Sequence, residues 1–167
     1  MDLRLTNEMN CDLDTFWSKI FFDPEYNRAL YLEGMKFPAW EQIEQTDRGG
    51  TLVRRVQVTP PSEMPAVIEK FVGGSINYAE TGTFDKASRV FRFEIVPNKM
   101  ADRLELAGKI FAEASGDKRI RRIGEIHIKA KVFGIGGMIE GFMAKTMRDG
   151  YDAAARFTND WIQKKGL

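Results

Sequence analysis

Glu125-Ile-His-Ile-Lys-Ala-Lys-Val132 alternates apolar and polar residues, and the glycine-rich run Phe133-Gly-Ile-Gly-Gly137 follows it directly. Such alternation predicts a β-strand with one buried face. The next segment, Met138–Lys164, contains no proline, and its large apolar residues recur mostly at spacings of 3, 4 and 7. This period predicts a long amphipathic helix. At about 1.5 Å per residue, the helix would be about 40 Å long.

A helix of that length at the end of a strand-rich chain needs a broad apolar surface to cover. A curved antiparallel sheet would supply the surface and would leave room for a cavity between helix and sheet. We therefore predict a hydrophobic small-molecule site there, because such pockets are mostly apolar with a few polar groups that fix orientation. The helix would contribute Ile139, Phe142, Met143, Met147 and Tyr151 to this site.

The composition is that of an ordinary globular protein and excludes several functional classes. The chain has 167 residues and a formal net charge of +1, which predicts one domain, residues 1–167, and no nucleic-acid partner. No apolar run approaches the roughly 20 residues that span a bilayer, and no signal peptide is evident at the N-terminus. We therefore predict a cytoplasmic protein without an integral membrane segment. Transient contact with a membrane and the oligomeric state stay open.

Cys11 is the single cysteine and His127 the single histidine, which limits the chemistry further. A lone cysteine excludes an intrachain disulfide and a cysteine-rich zinc site. In a histidine-based zinc site, every other protein ligand would have to be a carboxylate. We therefore predict no metal site and no cofactor.

Turn signals divide the rest of the chain into two short helices and seven strands. Alternation predicts a first strand over Asp2–Met9, and aspartates that can cap helices predict two short helices between Asp12 and Glu33. Ser62–Phe71 fits either a short helical turn or an irregular crossing. Six further strands form three hairpins: Ala39–Thr46 with Thr51–Thr59, Ser75–Phe84 with Arg89–Val96, and Leu104–Ala114 with Arg119–Val132.

Alternation within these strands separates an apolar face from a wet one. Small residues on the apolar face, among them Gly82, Gly108, Ala112 and Ala130, either leave space for a ligand or let the helix approach closely. The sequence leaves both alternatives open. The sheet side of the cavity would be lined by the large residues of the apolar face, which are Phe91, Phe93, Leu106, Ile110, Ile126 and Ile128.

Tyr78, Glu80 and Arg54 are the polar residues best placed to reach the cavity from the central strands. If Phe84 faces inward, alternation turns Tyr78 and Glu80 inward as well, and a buried Glu80 needs a partner such as Arg54. That pair would anchor a hydroxyl or carboxylate of the ligand. Alternatively, an irregularity near Gly82 turns Glu80 toward water, and we favour this second arrangement.

The remaining candidates for chemistry are interpreted as surface or structural residues. Lys118-Arg-Ile-Arg-Arg122 holds four cations and is expected at a solvated hairpin end rather than at a phosphate or lipid-headgroup site. His127 falls on the wet face, and no serine or threonine has an evident base partner. Cys11 lies before a helix N-cap, where a thiolate is favoured, but it has no partner base. We therefore predict no catalytic residue.

The order strand, two helices, six strands and long helix resembles the helix-grip fold of the START-like (SRPBCC) superfamily. This superfamily includes birch-pollen-allergen-like proteins, polyketide cyclases and lipid-transfer domains, and the chain is most similar to an uncharacterised bacterial family within it. Three local features carry the resemblance: the helix pair with Phe21-Phe-Asp-Pro-Glu-Tyr26 at its junction, the run Phe133–Gly137, and the long helix with Tyr151 and Trp161.

The resemblance implies an α+β fold in which about seven antiparallel strands, in the order β-α-α-β6-α, wrap around the C-terminal helix. It also implies a cavity that takes a lipid, sterol or polyketide. A shared fold supports only an analogy about function. The resulting hypothesis is non-catalytic binding or transport of a hydrophobic small molecule. The alternatives are a cyclase- or hydrolase-like enzyme acting on a polyketide- or lipid-like substrate, and a ligand-free protein-interaction module.

Overall fold

The computed structural model describes all 167 residues. Its strands are β1 (Asp2–Met9), β2 (Ala39–Asp47), β3 (Thr51–Thr59), β4 (Tyr78–Asp85), β5 (Val90–Pro97), β6 (Leu104–Gly116) and β7 (Arg119–Ala130). They form one antiparallel seven-stranded sheet in the order β1-β7-β6-β5-β4-β3-β2. Consecutive strands from β2 to β7 are therefore neighbours, whereas β1 pairs with the distant β7.

The helices complete the predicted α+β helix-grip architecture, which the structure confirms. They are α1 (Leu13–Thr15), continued by a π-helical segment Phe16–Phe21; α2 (Pro24–Ala29), continued by a π-helical segment Leu30–Gly34; α3 (Ala66–Val72); and α4 (Gly136–Lys165). The predicted strand ends agree with the observed ones to within three residues. No helix is both long enough and apolar enough to cross a membrane.

The starts of the two short helices follow from capping. The Asp12 carboxylate accepts a hydrogen bond from Thr15 N at 2.8 Å, and the Asp23 carboxylate accepts one from Glu25 N at 3.0 Å. Each aspartate satisfies a backbone donor that has no partner inside the helix. Pro24 occupies the first turn of α2, where its missing N–H costs nothing.

α4 lies across the inner face of the sheet and is attached to α2 by buried contacts. The Thr158 hydroxyl donates to the Ala154 carbonyl at 2.6 Å, so the Tyr26 hydroxyl, 2.6 Å from Thr158 Oγ1, donates to Thr158. The Tyr26 ring also packs edge-on against Trp161, with ring centroids 5.7 Å apart. The helix ends at Gly166, whose φ of 66° is the left-handed conformation that glycine adopts without strain.

Aromatic rings from the first helical segments fill one part of the space beneath α4. Trp17 packs on Phe84 of β4 with ring centroids 4.5 Å apart, and Phe21 packs on Phe91 of β5 at 5.0 Å. Phe22 contacts the same two sheet residues. The π-helical geometry places these rings on the sheet, and the apolar spacing of the sequence contains no signal for that geometry.

The glycines of the inner face are covered by rings rather than by open space. A Cβ atom on Gly82 would lie 2.0 Å from Cζ of Phe91, and one on Gly108 would lie 2.9 Å from Cζ of Phe93. Ala130 is buried in a small cluster with residues of α3 and the start of α4. The first alternative, space for a ligand, therefore does not hold at these three positions: rings of β5 cover the two glycines, and α3 and α4 cover Ala130.

Substitution of Gly82 by alanine tests this packing. We expect Gly82→Ala to lower the free energy of unfolding by about 1–3 kcal/mol, because the new methyl overlaps the Phe91 ring and the core has to shift. Gly50→Ala is the matched control, since nothing lies within 4 Å of a Cβ at that turn. Urea denaturation of both variants checks the difference, and equal stabilities would contradict the close packing.

Candidate ligand site between α4 and the sheet

The structure divides the predicted site residues into a packed set and a partly accessible set. The packed residues are at most 7% exposed and belong to the buried cores: Phe91, Phe93, Leu106, Ile126, Ile128 and Ile139. The partly accessible residues are Ile110, Phe142, Met143, Met147, Tyr151, Tyr78 and Glu80. A ligand would therefore contact mainly the second set, whereas most of the first set forms the wall behind it.

Arg54 and Glu80 form an ion pair on the inner face. Arg54 Nη2 donates to Glu80 Oε1 at 3.0 Å, and the two side chains are only 8% and 14% exposed. Strand β4 stays in register with β3 from Tyr78 to Asp85. The expected irregularity near Gly82 does not occur, so the arrangement with Glu80 in water is wrong. The pair is held further by Arg54 Nη1, which donates to the Phe21 carbonyl at 2.8 Å.

Three of the four tyrosine hydroxyls have no hydrogen-bond partner in the protein. Tyr26 is satisfied by Thr158, but the hydroxyls of Tyr31, Tyr78 and Tyr151 make no hydrogen bond to the protein and are not fully covered. Buried polar groups are nearly always hydrogen-bonded. Because these three hydroxyls have no partner in the protein and keep some exposure, they can bond to a molecule that reaches them. Sequence reasoning missed Tyr31, because it lies where α2 gives way to π-helical geometry.

The negative charge of Glu80 acts on all three of these tyrosines. Burial is the largest cause that raises the pKa of Tyr151 to about 12 and the pKa values of Tyr31 and Tyr78 above the ordinary value. The charge of Glu80 adds to the rise of each of these pKa values. We name these residues the interior polar cluster: Tyr31, Arg54, Tyr78, Glu80 and Tyr151.

Arg122 corrects the interpretation of the basic run at the β6–β7 hairpin. Lys118, Arg119 and Arg121 are exposed as expected, but Arg122 is only 8% exposed. Its guanidinium lies 4.5 Å from the centre of the Tyr151 ring. The physical reason is strand alternation, which puts Arg122 on the same face as the buried Ile120. The alternation is visible in the sequence, but the four cations of the run favoured the prediction of an exposed hairpin end.

The two residues with reactive side chains lie away from this region or are inert. His127 is on the wet face as predicted, with Nδ1 2.7 Å from a carboxylate oxygen of Asp2. Burial raises the pKa of Cys11 to about 11, so the thiolate is disfavoured despite the nearby helix start. No group of three or more histidine, cysteine, aspartate or glutamate side chains is arranged to hold a metal ion.

An open hollow of about 710 Å³ lies on the outer face of the sheet, near Gly108. Charged side chains surround it, including Arg4, Arg92, Lys109 and Glu125. Small-molecule sites are mostly apolar and enclose their ligand, so this hollow does not fit an apolar ligand. The region between α4 and the sheet is the better candidate site because it combines apolar side chains with unpartnered hydroxyls.

The four tyrosines of the chain provide a test of their surroundings, since burial raises the pKa of each one. We expect the native protein to develop little tyrosinate absorbance near pH 10, where tyrosine in an unfolded chain titrates. Because each pKa is higher in the folded than in the unfolded state, this stabilisation is complete below about pH 10 and is lost as the pH rises further.

Ultraviolet absorbance during alkaline titration measures this difference. The protein unfolded in guanidinium chloride serves as the control, and its tyrosines should titrate near the ordinary value. Native tyrosines that titrate together with those of the unfolded chain would contradict the desolvated interior.

Comparison with known proteins identifies the relatives of this chain. A family described as "Protein of unknown function (DUF2505)" matches residues 4–162. No curated protein is significantly similar to the chain.

Several solved structures share the fold at low identity. The Zhui aromatase/cyclase from Streptomyces sp. R1128 has a TM-score of 0.67 at 13% identity, with 100% of this chain and 96% of that chain covered. Norcoclaurine synthase from Thalictrum flavum has a TM-score of 0.63 at 16% identity, covering 93% and 84%. A START superfamily protein from Mycobacterium smegmatis has a TM-score of 0.61 at 10% identity, covering 98% and 97%. These similarities confirm the predicted START-like fold.

Proposed function

We propose that this chain, which belongs to the DUF2505 family, binds an apolar small molecule between α4 and the sheet. The ligand is of the lipid, sterol or polyketide kind, and its binding requires no chemical step. The observation that carries the proposal is the set of three unpartnered hydroxyls on Tyr31, Tyr78 and Tyr151. A ligand with one or two polar atoms would satisfy them.

Apolar side chains of the sheet and of α4 would contact the apolar part of the ligand. Ile110 from the sheet and Met143 and Met147 from α4 are half-buried and pack against the main core. Methionine side chains adapt to ligands of irregular shape. A site of this composition binds mainly by burying apolar surface, and its few polar groups fix the orientation of the ligand.

The opening is proposed at α3 and the run before α4. Ile68 and Val72 of α3 pack on Ile139 and Ala130 in a cluster separate from the main core. Gly73 and Gly134, with φ values of 73° and 80°, flank these two segments. A small cluster that contributes little buried surface opens at low free-energy cost, so the segment Pro60–Gly74 is the candidate gate.

The shared fold supports a small organic ligand by analogy alone. One solved norcoclaurine synthase of this fold is in complex with dopamine and hydroxybenzaldehyde, at 16% identity to this chain. At such identity, neither the ligand nor the chemistry of that protein transfers to this one.

Binding of the neutral fluorescent probe N-phenyl-1-naphthylamine tests the proposal. We expect saturable binding with a stoichiometry near one, and loss of binding by about 10-fold or more in Ala112→Trp. Ala112 is a half-buried residue of the inner face, and an indole there occupies the space that the ligand needs. Native mass spectrometry of the protein purified from cells would identify the class of any ligand retained.

Ala107→Trp is the matched control, because Ala107 lies on the same strand but is exposed on the outer face. It should leave probe binding unchanged. If the wild-type protein neither binds the probe nor carries a ligand from cells, the binding function is wrong and the protein-interaction alternative gains support.

A second candidate function is general-base catalysis by Glu80. It is favoured by one observation: the Glu80 carboxylate is only 14% exposed, and its charge acts on Tyr31, Tyr78 and Tyr151. A carboxylate near phenols can carry out acid–base chemistry. The ion pair with Arg54 orients the carboxylate, and the tyrosines would stabilise an enolate or phenolate oxygen. This alternative uses the same interior site and requires a substrate with an acidic C–H bond.

The Kemp elimination of 5-nitrobenzisoxazole tests this alternative, because a base removes its ring proton as the N–O bond breaks. We expect turnover to fall by about 100-fold in Glu80→Gln if Glu80 is the base. Glu94→Gln is the matched control, since Glu94 is exposed on the neighbouring strand β5. Wild-type turnover no faster than that of free acetate would exclude Glu80 as an active base toward this probe.

A further inference from the structure

Arg122 is a buried cation without a carboxylate partner. It is 8% exposed, and its Nη2 donates to two neutral acceptors, Asn7 Oδ1 at 2.9 Å and the Tyr151 carbonyl at 3.1 Å. Its Nε atom is buried without any partner, and Nη1 makes no hydrogen bond to the protein although it is not fully covered. Burying an unpaired charge lowers the stability of the folded state. A purely structural role therefore does not explain an arginine at this position.

The charges that face Arg122 from the surrounding elements do not neutralise it. The groups that act on it are Tyr151 and Asp152 of α4, Tyr26 of α2 and Tyr31 of the following π-helical segment. Of these, only Asp152 carries a charge near neutral pH, and it is exposed on the outside of the helix. Arg122 reaches it only through Asn7, whose Nδ2 donates to Asp152 at 2.9 Å.

Arg122 differs in this respect from Arg54, the other buried arginine. Arg54 and Glu80 compensate each other at 3.0 Å, which leaves the charge of Arg122 unbalanced. The charges of both Arg122 and Glu80 act on Tyr151: the first lowers and the second raises its pKa. The Arg122 guanidinium itself lies 4.5 Å from the centre of the Tyr151 ring.

We propose that the ligand of this site is an apolar molecule bearing one acidic group, and that the Arg122 guanidinium binds this group through Nη1. The inference rests on the proposed binding function and narrows its ligand class to carboxylates and related anions. The two bonds of Nη2 and the stacking on Tyr151 fix the guanidinium before the ligand arrives, which lowers the entropic cost of binding. A carboxylate completes both the charge balance and the hydrogen bonding.

Two probes with the same apolar skeleton test the binding function and the acidic-ligand inference separately. N-phenyl-1-naphthylamine is neutral, and 1-anilinonaphthalene-8-sulfonate is the same molecule with a sulfonate. We expect Arg122→Met to weaken binding of the sulfonate probe by about 10- to 100-fold, the loss of one charge-assisted hydrogen bond. Binding of the neutral probe should change by less than about 2-fold, because methionine preserves the apolar wall.

Arg121→Met is the matched control, since it removes the same charge from the adjacent residue, which is exposed and pairs with Glu8 at 3.0 Å. It should leave the affinities of both probes unchanged. If the neutral probe binds but Arg122→Met and Arg121→Met retain equal affinity for the sulfonate probe, the acidic-ligand inference is overturned and the binding function stands. If neither probe binds the wild-type protein, both fail.

The wild-type protein alone provides a second test in case Arg122→Met does not fold. Displacement of N-phenyl-1-naphthylamine by 2-naphthoate is compared with its displacement by 2-naphthamide, which has nearly the same shape and no charge. We expect the carboxylate to bind at least about 10-fold more tightly. Equal affinities would overturn the inference without any substitution.

Discussion

The contact of α4 with Gly124 fixes the position of the helix on the sheet, and the rest of the interior depends on it. The Tyr151 ring approaches so closely that a Cβ on Gly124 would lie 2.8 Å from its Cε1 atom. Only glycine leaves room for a ring at that distance. With Tyr151 seated there, its ring stacks on Arg122. Moving the helix by one residue would remove both contacts at once.

The interior has a dry part and a polar part, and the first helical segments separate them. Rings from Phe16–Phe22 fill the dry part against β4 and β5. Arg54 lies at the boundary, with its guanidinium 4.7 Å from the Phe21 ring and 4.9 Å from the Phe91 ring. Cation–π contacts of this kind favour a charge where water is scarce. The polar part thereby keeps a fixed ion pair beside hydroxyls that remain free for a ligand.

Much of the fold could be predicted because local patterns determine it. The alternation of β7 and the period of α4 are each visible within one segment, and the hairpin turns lie between strands of clear pattern. The candidate site was harder to predict, because the burial of a polar residue depends on partners that are distant in the sequence. Glu80 was placed wrongly, since its partner Arg54 lies on another strand. Arg122 was predicted to be exposed because three exposed cations lie near it in the sequence. Its position two residues after Ile120 nevertheless places it on the buried face of the strand. The cytoplasmic location and the single domain stay predictions.

The pairing of β1 with β7 has a consequence for how the chain reaches this structure. Residues from Leu3 to Met9 find their partners only in Ile120–Ile126, more than 110 positions later. During synthesis on the ribosome, the first strand leaves the exit tunnel long before its neighbour exists, and its leucines remain uncovered meanwhile. Non-local pairing of this kind slows folding. A nascent chain with such an unpaired apolar edge is a natural substrate for a holding chaperone until the final strand and helix emerge.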